Sequence, residues 1–260
     1  MSTRVTDLLF GAGLKHEPVA KRVRADGVVD TTRAVLVWEP RRVTPLYAVP
    51  AEDLIVPVAP GGETLPAPDG VLHPGIPFAA HTAPGEPLTV GEHAGAGFRL
   101  ADPDLDGYVL LDFHPFEWLE EDEPIRGHPR DPFSRIDVRV TSRLVRIERD
   151  GRLLAESTRA RLLFETGIHT RFYLPREDVL VPLEPSDTRS YCPYKGEASY
   201  WSAGGHRDIA WSYEDPLPDL RQITGLVAFW DERVDVVFDG QRRGRAQGEI
   251  ADAMRDEFGA

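Results

Sequence analysis

Apolar and polar residues along this chain alternate in short runs, and the runs come in pairs. Residues 33–38 read R-A-V-L-V-W and residues 159–164 read R-A-R-L-L-F. Short runs rich in β-branched and aromatic residues, bounded by turn residues, predict strands. Each run is followed by a turn and a second strand, ending at Tyr47 in one case and Leu174 in the other. Asp26-Gly27 and Asp150-Gly151 precede them as hairpin turns, where glycine takes a positive φ at low cost. P-A-E-D at 50–53 and P-R-E-D at 175–178 predict further turns. Residues 54–58 and 179–183 then read as strands carrying Pro57 and Pro182, which implies an edge or a bulge.

The pattern beyond that point is less regular. Residues 59–97 are rich in Gly and Pro and predict irregular loops with short strands. Residues 196–202 and 209–213 read as paired strands across an A-G-G-H-R turn. Period two places Ala198, Tyr200 and Ser202 on one face, and Ile209, Trp211 and Tyr213 on one face of the partner. A last hairpin is expected from residues 226–230 and 234–238 about Asp231-Glu232. P-F-E-W-L-E-E-D-E at 115–123 predicts a short acidic helix. Residues 1–20 read as a tail, and residues 246–258 as a frayed C-terminal helix.

These parallels amount to an internal repeat. Thr32-Arg33-Ala34 matches Thr158-Arg159-Ala160, Glu39 matches Glu165, and Tyr47 matches Tyr173. Pro50-Ala51-Glu52-Asp53 matches Pro175-Arg176-Glu177-Asp178 after a one-residue gap, and Phe98 falls on Trp211. The chain therefore reads as an N-terminal tail (1–20), a divergent copy (21–130), a second copy (131–245) and a C-terminal tail (246–260). The seam is the polar, Pro-rich R-G-H-P-R-D-P-F. The fold class that follows is all-β and mostly antiparallel, in two small domains related by the repeat.

Charge and cysteine count narrow the function classes. Asp and Glu number 43 against 30 Lys and Arg, a formal net charge of −13, so no nucleic acid and no anionic membrane is expected as a partner. One cysteine excludes an internal disulfide and a multi-cysteine zinc site. His73, His81 and His93 read as solvated loop histidines, so no metal and no cofactor is expected. The N-terminus lacks a signal-peptide pattern and no apolar run is long enough to span a membrane, so a cytoplasmic location is expected. The sequence gives no oligomeric state.

Candidate chemistry concentrates in residues 191–213. They hold four of seven tyrosines, two of five tryptophans, the single cysteine, and Lys195, one of three lysines. Tyr191, Cys192, Tyr194, Lys195, Ser199, Tyr200, Trp211 and Tyr213 are the predicted ligand contacts: an aromatic pocket around one compact ammonium. The function expected is a small-molecule-binding module with its site in the second copy. The alternative is an enzyme using Lys195, with Cys192 or a carboxylate, on a nucleotide or carbonyl substrate. A pocket-lining lysine contributes little to stability, so Lys195→Ala is expected to leave the melting temperature little changed. Glu39, Glu165, Arg33 and Arg159 recur in both copies and read as structural ion pairs.

The motif C-P-Y-K-G-E-A-S-Y-W-S, with P-R-E-D-V upstream and W-S-Y-E-D-P-L-P and G-L-V-A-F-W downstream, resembles the family catalogued as domain of unknown function 427. Residues 143–240 follow its pattern throughout, and residues 22–125 resemble a divergent copy, as in tandem actinobacterial members. The resemblance implies a small antiparallel β domain shaped as a tent or open roll. Some schemes file the family as nucleotidyltransferase-like. The chain shows neither a Walker A loop nor a paired-aspartate metal site, and copy one lacks C-P-Y-K-G.

Overall fold

The computed structural model describes residues 11, 13–244, 251, 252 and 255. The chain divides into two compact units, Met1–Asp131 and Pro132–Ala260. The first contains β1 (Lys15–Pro18), β2 (Val23–Ala25), β3 (Val29–Thr31), β4 (Val35–Trp38), β5 (Leu46–Pro50) and β6 (Val58–Pro60). It continues with β7 (Gly85–Val90), β8 (His93–Leu100), β9 (Tyr108–Leu111), β10 (Trp118–Glu120) and β11 (Glu123–Ile125). The second contains β12 (Ile136–Val140), β13 (Val145–Arg149), β14 (Arg152–Ser157), β15 (Arg161–Glu165), β16 (Ile168–Leu174) and β17 (Leu183–Cys192). It ends with β18 (Gly196–Ala203), β19 (His206–Ser212), β20 (Val227–Phe229), β21 (Asp235–Phe238) and β22 (Gln241–Arg242).

Strand order is the same in both units. The first has a seven-stranded sheet, β1-β4-β5-β9-β8-β7-β6, and a four-stranded sheet, β11-β10-β2-β3. The second has β12-β15-β16-β20-β19-β18-β17 and β14-β13-β21-β22. Shifting the first set by eleven strands reproduces the second. The fold is all-β with two similar halves, as the alternation predicts, and residues 33–38 and 159–164 fall on the equivalent strands β4 and β15. In each unit an apolar core fills the space between the sheets. In the second unit Val145 and Ile147 of the small sheet meet Leu162, Phe172, Val227 and Phe229 of the large one. A second cluster covers the outer face of the large sheet, so its strands are buried on both sides.

Register corrects one part of the repeat. Leu36 stands opposite Tyr47, whereas Leu162 stands opposite Phe172 and Arg161 opposite Tyr173. Tyr47 is thus equivalent to Phe172, and Tyr173 to Ala48; the one-residue gap lies in the turn before the second strand, not after it. One residue of slip moves a side chain to the other face of a sheet. Tyr47 accordingly points between the sheets, packs 4.9 Å from Trp118, and donates its hydroxyl to Glu120 Oε1 at 2.7 Å. Tyr173 lies on the outer face.

Several local expectations change as well. Pro57 and Pro182 do not sit within strands: β6 and β17 begin just after them and carry Pro60 and Pro185 instead, at the edges of their sheets, and Leu54 and Val179 make isolated bridges to Val29 and Ala155. Residues 115–123 form no helix. Trp118 and Glu120 alternate inward on β10, which pairs with both β2 and β11, so period two prevails over acidic helix propensity. Residues 226–238 are not a hairpin: β20 and β21 belong to different sheets. Within residues 59–97, where irregular loops and short strands are expected, the six-residue β7 and most of the eight-residue β8 pair with each other. Lys15–Pro18, in the presumptive tail, is an edge strand against β4. The expected C-terminal helix lies mostly outside the described residues. Among the described residues no helix is long and apolar enough to cross a membrane.

Candidate functional site

Alternation on four strands of the second unit builds one face. Strand β16 sends Arg171 and Tyr173 outward and Phe172 and Leu174 inward. Trp211 of β19, Ala198 and Tyr200 of β18, Ala228 of β20 and the adjoining Trp230 join them. Trp211 and Trp230 lie 4.8 Å apart, and Tyr200 stacks on Trp230 at 6.4 Å. Trp211 Nε1 donates to Tyr173 Oη at 3.2 Å. Tyr200 Oη shares a 2.9 Å hydrogen bond with Ser190 Oγ. Burial pushes the Tyr173 hydroxyl up to about 12, so it stays a neutral donor and acceptor.

The tip of the β17–β18 hairpin closes over this face. Lys195 Nζ donates to Glu165 Oε2 at 2.6 Å. Strands β15 and β18 are separated by β16, β20 and β19, which would span about 19 Å on a flat sheet. Two side chains cannot bridge that distance, so the tip folds back across the face as a clasp. Gly196, at φ +98°, makes the bend beside the backbone of Asp215 and Leu217, and Leu217 N–H donates to the Lys195 carbonyl. The Lys195 and Glu165 side chains are only 11% and 8% exposed. Burial opposes the ammonium charge, but Glu165, Cys192 and Tyr173 outweigh it and hold the Lys195 pKa above its ordinary value. Lys195 is a cation at neutral pH, not the free amine that Schiff-base chemistry needs.

The first unit solves the same problem differently. Glu39, equivalent to Glu165, accepts from Arg42 Nε, His81 Nδ1 and the N–H groups of Thr82 and Ala83. Burial would raise its pKa; His81 and Arg42 overcome that and hold it low. His81 stacks on Phe98 at 3.6 Å, and Phe98 is equivalent to Trp211. His81, not His73, therefore stands where Lys195 stands, and it is a buried core histidine rather than a solvated one. Arg33 and Arg159 pair with Asp53 and Asp178 of the P-x-E-D turns, a structural role in both units.

Of the predicted contacts, Lys195, Tyr200, Trp211 and Tyr213 gather on this one face, each at most 9% exposed. Cys192 and Tyr194 are half-buried at the clasp, and Tyr191 is 36% exposed at its outer side. Ser199 faces the other way. It pairs with Ser212, whose hydroxyl accepts from Trp201 Nε1 at 2.8 Å and donates to Glu214 Oε1 at 2.7 Å.

With the fold and this face in view, residues 137–240 match the family model described as a domain of unknown function, DUF427. The matched stretch falls wholly within the second unit. No curated protein gives a significant match. The DUF427 match thus spans the strands that carry Tyr173, Lys195, Trp211 and Trp230.

The DUF427 domain also buries charges that the sequence reasoning passed over. Arg171, 4% exposed, grips both Glu232 oxygens at 2.7 and 2.8 Å and lies 5.5 Å from the Trp211 ring and 5.6 Å from the Trp230 ring. Asp231 sits 3.7 Å from Arg171. The signal was present: in I-H-T-R-F-Y, period two puts His169, Arg171 and Tyr173 on one face of a strand flanked by apolar runs. The two carboxylates diverge. Burial pushes Asp231 up to about 6, against the pull of Arg171 and His169. Glu232 resists burial through His169 and Arg171 and is held down at about 2. Asp231 has a raised pKa, so its contribution to stability is full below its unfolded value and is lost as pH rises through about 6. Asp231→Asn should therefore stabilise the protein by about 1–3 kcal/mol at pH near 8 and by little at pH near 4. Urea titrations at both pH values read this out; equal effects would contradict it. Among the described residues no group of three or more His, Cys, Asp or Glu could hold a metal ion.

Proposed function

We propose that the DUF427 unit is a small-molecule-binding module whose ligand is taken by the aromatic face beneath the clasp. One observation carries this reading. The two units share a strand order, yet Glu39 is held by four donors while, among the described residues, Glu165 accepts only from Lys195. An ammonium has three N–H groups, and Lys195 directs one of them at Glu165. The remaining donors, near the Tyr173 hydroxyl on the face that also carries Trp211 and Tyr200, suit an oxygen-bearing planar ligand. Binding would open the clasp and exchange Glu165 for a ligand oxygen.

The test is native mass spectrometry of the full chain purified from its own host, followed by a thermal-shift screen of small planar acids and nucleotides. A bound mass, or a stabilising compound, should be retained by the wild type and lost in the paired variant Lys195→Met with Glu165→Gln, which keeps the fold without the charges. A ligand held equally by both forms would overturn the reading, as would a wild type that neither carries nor responds to any compound.

A further inference from the structure

Where the chain leaves the large sheet at Trp230 for the small sheet at Asp235 there is a cleft of about 40 Å³ lined by His169, Asp231, Val234, Val236, Arg243 and Gly244. Neither Lys195 nor Glu165 lines it. Its lining holds one carboxylate, Asp231, and one guanidinium, Arg243. Glu232 is consumed by the Arg171 fork. That leaves the Arg243 guanidinium, which lies 5.2 Å from the Phe172 ring, facing Asp231. His169 Nε2 is shut off from solvent and lies 3.2 Å from Glu232 Oε1, an oxygen that Arg171 already holds. Val234 and Val236, 1% and 3% exposed, supply an apolar wall.

We propose that this cleft binds the carboxylate of a short-chain monocarboxylic acid, with Arg243 and the His169 ring donating to its oxygens and its alkyl end against Val234 and Val236. The volume admits only a few non-hydrogen atoms. Guanidinium matches a carboxylate with two parallel hydrogen bonds. With Asp231 protonated, the Arg243 guanidinium is left to balance one negative charge, which favours a monoanion over a dianion such as phosphate.

The groups facing Asp231 are Arg171, His169, Glu232 and Arg243. Protonated, Asp231 no longer repels the ligand and can donate to it; ionised, it competes for Arg243. Affinity should therefore fall as pH rises through about 6. Propionate is the probe. In the full chain with isotope-labelled histidine, the His169 resonance, assigned with His169→Gln, should shift saturably on adding propionate near pH 5. Binding should be about tenfold weaker near pH 8, the factor that one proton's linkage readily supplies. Arg243→Ala should remove the shift while the other histidine signals keep their positions, which shows the fold intact. Asp231→Asn should bind at both pH values within about threefold. No saturable shift at either pH, a shift that survives Arg243→Ala, or inorganic phosphate binding as tightly as propionate would each overturn the proposal.

Discussion

Lys195→Ala should destabilise the second unit by about 3–5 kcal/mol, because it leaves the Glu165 carboxylate buried without its partner. Glu165 is 8% exposed and Lys195 is its one hydrogen-bond donor among the described residues. The paired change Lys195→Met with Glu165→Gln removes both charges and should return stability to within about 2 kcal/mol of the wild type. His73→Ala, whose Nδ1 accepts from the Gly75 N–H of its own turn, should stay within about 0.5 kcal/mol. Urea unfolding followed by tryptophan fluorescence reads the second unit well, since Trp201, Trp211 and Trp230 all lie there. A Lys195→Ala protein as stable as the wild type would show that the clasp does not hold the charge pair in solution.

Arg171→Ala should cost a similar amount, about 3–5 kcal/mol at neutral pH, since Glu232 loses both hydrogen bonds of the guanidinium fork inside the domain. Here pH separates the charge effect from lost packing. Glu232 is held at about 2, so its stabilisation is present above the unfolded carboxylate range and is lost as pH falls toward 2. In the variant the carboxylate loses its strongest partner and protonates more readily. The gap between wild type and variant should narrow between about pH 5 and pH 2. Arg171→Lys should recover only part of it, because an ammonium cannot reproduce two parallel hydrogen bonds. A gap that is constant with pH would assign the loss to packing against Trp211 and Trp230 instead.

Period-two alternation and the paired T-R-A and P-x-E-D segments announced an all-β chain in two similar halves, and the cluster of Lys195, Tyr200, Trp211 and Tyr213 does share one face. Failures came where short-range signals compete with tertiary pairing. W-L-E reads as acidic helix until β2 offers it a partner. The W-D-E-R-V segment looks like a hairpin turn until β20 and β21 are assigned to different sheets. Burial is invisible when both faces of a sheet are covered, so Lys195 reads as a tolerant pocket residue although its side chain is 11% exposed. Arg171 and Glu232 lie some 60 residues apart, and nothing local says that they meet. The Tyr47–Tyr173 match was a coincidence of identity across a one-residue offset, which only strand register reveals.

The order in which each small sheet is assembled has a consequence for how the chain folds. Its two halves come from opposite ends of a unit: Trp118 lies opposite Ala25 and Phe238 opposite Val145, pairs roughly 90 residues apart in sequence. Neither core can close until the last hairpin of its unit has been made. The loop-closure entropy must be met before the contacts that repay it form, so each unit should fold slowly and as a whole, with high contact order. On the ribosome the first unit has all its strands once Ile125 has emerged. The second has its large sheet only partly covered, by β13 and β14, until β21 and β22 arrive with Val236. A chain stopped before Asp235 should therefore keep a native first unit and expose an aggregation-prone second one.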